Sequence, residues 1–65
     1  MTSNNLSELD EIYLSDRQVA RRYETSRALP WRWAAQGNFP KPIKLSERIT
    51  RWKLSDLVAW EREVA

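Results

Sequence analysis

The chain contains no cysteine and no histidine. Without thiols there is no disulfide framework and no thiolate metal site. Without imidazole a zinc site would rest on carboxylates alone, and the commonest general base at neutral pH is missing. Glycine occurs once, too sparsely for a glycine-rich phosphate loop. No apolar run approaches the ~18 residues of a membrane span and no signal peptide opens the chain, so a soluble, cytoplasmic protein with no membrane contact is expected. At 65 residues the chain is close to the lower limit for a domain that folds alone, and too small to enclose a substrate pocket. These absences weigh against an enzyme, a cofactor and a small-molecule ligand alike.

What is present is aromatic and basic. Seven aromatic residues, four of them tryptophan, suit a compact core. The net charge of +2 hides an asymmetry. Residues 1–16 hold four acids and no base, residues 17–53 hold ten Lys/Arg against Glu24 and Glu47, and residues 54–65 return to −2. A basic middle of net +8 between acidic ends is what a polyanion-binding face requires. An ordinary solvated surface is the plainer alternative.

Along the chain, residues 1–12 are polar and acidic without apolar periodicity and read as a flexible arm, leaving 13–65 as the folded domain. Ser15 and Gln18 form a capping box, with Leu14 and Val19 as its hydrophobic staple. They open a first helix over about 16–23 whose apolar face is Val19, Ala20 and Tyr23. After Glu24-Thr25, Ser26 is placed to cap a second helix that stops at Gly37, with Pro40 beyond. Pro30 is comfortable only in a first turn, so the regular helix starts near Ala28 or Leu29. Ile43-Lys44-Leu45 and Ile49-Thr50-Arg51-Trp52 flank a three-residue turn, Ser46-Glu47-Arg48, as a hairpin. Ser55 is placed to cap a third helix over about 56–64. The fold class is mainly α with a small β-hairpin, a winged helix-turn-helix of three short helices and a two-stranded wing. A three-helix bundle with a decorative hairpin leaves the concentration of bases without a use.

Trp31 and Trp33 stand two residues apart, roughly 200° around a helix axis, so they cannot share one core. Counting back from Gly37, Trp33, Pro30 and Leu29 fall on the inner side, and Arg27, Ala28, Trp31, Arg32 and Ala35 on the outer. Trp33 is then the core tryptophan. Trp31 is either a flat apolar ring for a thymine methyl or the sugar–phosphate wall, or a residue lying along the first helix or under the arm.

The run from Ser26 to Pro42, SRALPWRWAAQGNFPKP, resembles the phage regulators of the AlpA type and the small phage excisionases, which carry a similar Ser-Arg-Ser-Thr-Ile-Tyr/Trp-Arg-Trp helix and Gly-x-Phe-Pro-x-Pro connector. The likeness continues through Ile43-Lys44-Leu45, Arg51-Trp52 and Ser55-Asp56-Leu57-x-x-Trp60, and departs at Leu29-Pro30, where the family tends to have Thr-Ile. The resemblance implies a second helix in the major groove of double-stranded DNA, offering Arg27, Ala28, Trp31 and Arg32, and a wing offering Lys44, Ser46, Arg48 and Thr50. Arg17, Arg22 and Ser26 complete the expected contact set. It further implies a recombination directionality factor that binds repeated sites near an attachment site, bends the DNA and biases a tyrosine-family integrase toward excision. One groove contact by so small a domain gives limited affinity, so cooperative self-association on DNA is expected as well. Transcriptional regulation of the AlpA type is the alternative, and a protein–protein adaptor a more distant one.

Overall fold

The computed structural model describes residues 11–65. In chain order the elements are β1 (Tyr13–Leu14), α1 (Asp16–Tyr23), α2 (Ala28–Gln36), β2 (Ile43–Ser46), β3 (Ile49–Lys53) and α3 (Leu54–Val64). Three short helices and an antiparallel hairpin in this order form a winged helix-turn-helix. Residues 1–10, most of the expected arm, lie outside the described residues. Its last two residues are tied to α3: the Ile12 carbonyl accepts the Leu54 N–H at 2.8 Å, and the Glu11 carboxylate accepts the Ser55 hydroxyl at 3.0 Å.

The sheet has three strands rather than the expected two, in the order β1-β3-β2. Tyr13 lies opposite Lys53 and Leu14 opposite Trp52, both antiparallel. A two-residue strand is too short to show alternation in a sequence, so β1 is defined only by its partner. In the wing, Ile43 faces Arg51, Lys44 faces Thr50 and Ser46 faces Ile49, which leaves Leu45 as an extra residue in a bulge. The turn is therefore Glu47-Arg48 alone, and Ser46 belongs to the strand. Neither turn residue has positive φ. A two-residue turn without it tends to splay its strands, and the bulge supplies local twist instead.

The start of α1 follows the expected chemistry. The Ser15 hydroxyl accepts the Gln18 N–H at 3.2 Å and the Gln18 side chain accepts the Ser15 N–H at 2.9 Å. Both α1 and α2 end in the same paired-bond motif. At α1, Thr25 N–H reaches the Ala20 carbonyl and Glu24 N–H reaches Arg21; at α2, Asn38 N–H reaches Trp33 and Gly37 N–H reaches Ala34. Each needs a left-handed residue, Glu24 at φ 56° and Gly37 at φ 84°. Glycine meets that demand without strain, whereas glutamate carries a cost of roughly 1–2 kcal/mol.

Two expected caps are corrected. Ser26 does not cap α2: Arg27 is already helical, and the Ser26 carbonyl accepts Leu29 N–H at 3.2 Å as the chain winds directly into the helix. Pro30 is then the third helical residue, where no N–H partner is lost. Ser55 does not cap α3, which begins two residues earlier than expected, at Leu54. Its Ser55 N–H faces the Glu11 carboxylate at 3.5 Å, an anion at the positive end of the helix, supplied from outside it.

The core gathers Val19, Ala34, Phe39, Trp52 and Leu57, with Leu14, Tyr23, Trp33 and Trp60 packed around it. Phe39 is its hub, with ring centroids 4.8 Å from Trp60, 5.3 Å from Trp33, 5.9 Å from Tyr23 and 6.3 Å from Trp52. Two indoles pin the connector that carries it: Trp60 Nε1 donates to the Asn38 carbonyl at 2.7 Å and Trp52 Nε1 to the Pro40 carbonyl at 2.8 Å. The fully buried tryptophan is Trp52, not Trp33, which is half-buried at the edge of the cluster.

A polar clamp joins α1 to α3. Arg22 donates through Nε and Nη2 to the two Glu61 carboxylate oxygens at 2.7 and 2.9 Å, and the Tyr23 hydroxyl donates to the same carboxylate. The Arg22 fork, followed by the Tyr23 hydroxyl, holds the Glu61 carboxyl down at about 2 against its usual 4.5. Burial, reinforced by the Glu61 anion, pushes the Tyr23 phenol up to about 12. Because the folded value for Glu61 lies below the unfolded one, its stabilisation is complete above pH 4.5 and is lost as the pH falls toward 2. Tyr23 has the opposite sense: its contribution is intact below pH 10 and is lost as the pH rises toward 12. Glu61→Gln should lower the urea midpoint at neutral pH and flatten its decline between pH 4.5 and 2. An equally steep acid decline in wild type and variant would remove the clamp as its cause.

Candidate nucleic-acid interface

The inner stripe of α2 is Leu29, Pro30, Trp33 and Ala34, and the outer one is Arg27, Ala28, Trp31, Arg32 and Ala35. Pro30 and Ala34 are buried and all five outer residues are exposed, as the helical spacing requires. Trp31 is 41 % exposed. Its exposure is directed. Nε1 donates to Asp16 Oδ2 at 3.0 Å, and its ring lies 4.8 Å from that of Trp52 with the planes inclined at 64°. One side of Trp31 thus lies against α1 and β3, as a residue lying along the first helix would, while the rest of the ring meets solvent. The same contact brings the outer face of α2 against Trp52 of β3.

Arg27 reaches the same Asp16 oxygen through Nη2 at 3.5 Å. Asp16 thus collects two donors from α2, with the Trp31 indole foremost in holding its carboxyl below the usual range. Asp16 carries no mark of this role in the sequence. An acid in the first turn of a helix is ordinary dipole chemistry, and nothing in the spacing announces a partner fifteen residues away.

The remaining candidates are distributed as follows. Arg17 lies exposed on α1 and Arg32 on α2; in the wing, Lys44, Ser46 and Arg48 are exposed and Thr50 is half-buried. Arg17, Arg32, Lys44 and Arg48 have no carboxylate within 4.0 Å among the described residues. Arg22 is set apart from them because Glu61 occupies its guanidinium fork. Ser26 sits in the turn between α1 and α2, exposed. Leu45, in the bulge, and Ile49 are also exposed on the wing beside the Glu47-Arg48 turn, although their pattern in the sequence marks them only as strand formers. A surface hollow of about 650 Å³ between the Gly37–Lys41 connector and α3 is lined by Phe39, Pro40, Asp56 and Trp60 among others. Among the described residues there is no cluster of metal-ligating side chains, and no helix is long and apolar enough to cross a membrane.

A helix-turn-helix with its second helix outward and basic, braced by a wing, is a DNA-binding architecture of the regulator class. The family model described as prophage CP4-57 regulatory protein (AlpA) matches residues 12–64, and the chain belongs to that family. It is a phage regulatory DNA-binding protein. No curated protein and no solved structure matches the chain.

Proposed function

We propose that this protein is a cytoplasmic architectural factor, an excisionase. It binds repeated sites near a phage attachment site, bends the DNA and directs a tyrosine-family integrase toward excision, without itself catalysing a step or using a cofactor. The observation that carries this reading is the set of exposed bases on α1, α2 and the wing that lack a carboxylate partner among the described residues. In this reading α2 enters the major groove, with Arg27 and Arg32 reaching bases or phosphates and Trp31 meeting a thymine methyl or the sugar wall. Lys44, Ser46, Arg48 and Thr50 of the wing track the backbone of the adjacent minor groove.

A single module of this size gains limited affinity from one groove, while bending a site by 40–90° costs on the order of 1–6 kcal/mol. Several copies side by side, each adding phosphate contacts, offset that cost. The acids outside the basic segment, Glu61 and Glu63 in α3 and Glu8, Asp10 and Glu11 in the arm, are the groups to meet a neighbour's exposed arginines; of these, Glu11 and Glu61 have partners within the chain, and Glu8 and Asp10 lie outside the described residues. Among the described acids of this set, Glu63 at the end of α3 is exposed and is the one we assign to the contact. Such a head-to-tail contact repeats as an open array. The family's description as a regulatory protein favours a second reading, in which the same DNA contacts serve transcription. Sedimentation should show a monomer or weakly associating species in free solution. Circular-permutation gel shifts on attachment-region DNA should show cooperative, multi-copy binding with a bend. A tight two-fold dimer on one unbent palindrome would replace the architectural role with the regulatory one.

A further inference from the structure

We propose that Asp16 is a positioning residue that sets the sequence preference of the α2 face by holding Trp31 and Arg27 in register with each other. The proposal rests on the reading that α2 contacts DNA. A carboxylate amid bases is unfavourable for binding a polyanion as such, since it repels phosphate and cancels one positive charge. Its placement makes sense when the geometry of its neighbours matters more than net charge.

That geometry is specific. One oxygen, Oδ2, accepts the Trp31 indole N–H at 3.0 Å and faces Arg27 Nη2 at 3.5 Å. The Trp31 ring also lies 4.8 Å, centroid to centroid, from the ring of Trp52. The indole therefore has two anchors, an acceptor on α1 and a buried ring on β3. Arg27 keeps most of its guanidinium free, with 62 % of the side chain exposed. Tethered at one nitrogen, it retains donors for the paired acceptors of a guanine edge. It must part from a favourable neighbour before it can follow a passing phosphate. Removing the tether therefore favours indiscriminate phosphate contact over the base contact. This is how a supporting residue that touches no ligand fixes those that do.

Two substitutions separate this role from a merely structural one. Asp16→Asn keeps a carbonyl oxygen for the indole N–H but removes the charge that restrains Arg27, whereas Asp16→Ala removes both. Each folded variant would be presented with a randomised duplex library and, separately, with sonicated bulk DNA over a range of salt, and the Trp31 indole N–H resonance followed by NMR without DNA. Wild type should enrich a defined motif. Asp16→Asn should bind bulk DNA several-fold more tightly, with the salt slope steeper by about 0.9 for one added phosphate contact, and enrich a degenerate version of the motif while the indole resonance persists. Asp16→Ala should show the same relaxation and also shift that resonance to a solvent-exposed position. If both variants enrich the wild-type motif with the wild-type preference over bulk DNA, Asp16 serves only to stabilise α1 and the proposal is overturned. A wild-type protein that enriches nothing, folded and at low salt, overturns the α2 reading itself and this proposal with it.

Discussion

Trp52→Ala is expected to leave the chain unfolded at room temperature. Trp52 is 0 % exposed and touches both Phe39, the hub of the aromatic cluster, and Trp31 on the outer face of α2. Truncating a buried aromatic of this size costs ~3–5 kcal/mol. The loss also frees the Pro40 carbonyl, which the indole N–H holds at 2.8 Å, and with it the connector that seats Phe39. A core in a domain this small rarely supplies more than about 3–5 kcal/mol in total, so one substitution consumes it. Trp33→Ala should be less damaging, since Trp33 is half-buried at the margin, and Trp31→Ala least of all. Thermal melts followed by circular dichroism rank the three directly. A cooperative Trp52→Ala transition within a few degrees of wild type would mean that the cluster is not organised around that residue.

Helical periodicity places Trp33 above Trp31 in this ranking but does not reach Trp52. Spacing within α2 separates Trp31 from Trp33 correctly, because both sit on one rod whose period is known. It says nothing about Trp52, whose burial depends on which face of β3 the helices cover. Features confined to a few neighbouring residues are readable in the same way. The Ser15–Gln18 box, Gly37 at its left-handed position and Pro30 within the first turn of α2 all follow from local chemistry. The missed features join distant residues: Glu11 to the start of α3, Leu14 and Tyr13 to β3, and Arg22 to Glu61. Ser26 and Ser55 illustrate the converse. Each is the right residue type one or two positions from a helix start, yet the chain reaches the helix by another route and the serine does not cap it. At the candidate interface, residue type and helical face were legible, so the outer stripe of α2 stands where the spacing puts it. The anchoring of Trp31 and Arg27 on Asp16 was not, because it is made across the helix-turn-helix.

Removing the two outer arginines of α2 is the largest expected change in DNA binding. Arg27→Ala and Arg32→Ala should each weaken binding to a selected site by ~1–3 kcal/mol if the contact is bidentate to a base. The two should differ in kind. Arg32 has no carboxylate partner among the described residues, so its loss removes one contact and one charge. Loss of Arg27 also leaves the Asp16 anion without a cation beside it, hydrogen-bonded only by the neutral Trp31 indole, and its effect should be the larger at low salt, where charge is least screened. Combined, the two substitutions should bring binding to the selected site close to that of bulk DNA, because the two side chains best placed to read base edges are gone. Arg48→Ala, at the exposed turn of the wing, should act differently: it should weaken selected and bulk DNA alike and lower the salt slope by about one. All three positions are exposed, so the variants should melt within about 0.5 kcal/mol of wild type, as surface substitutions usually do, which separates binding effects from unfolding. Titrations of selected and bulk duplexes at several salt concentrations distinguish base reading from phosphate contact. Unchanged affinity in all three folded variants would sink the assignment of α2 and the wing to DNA.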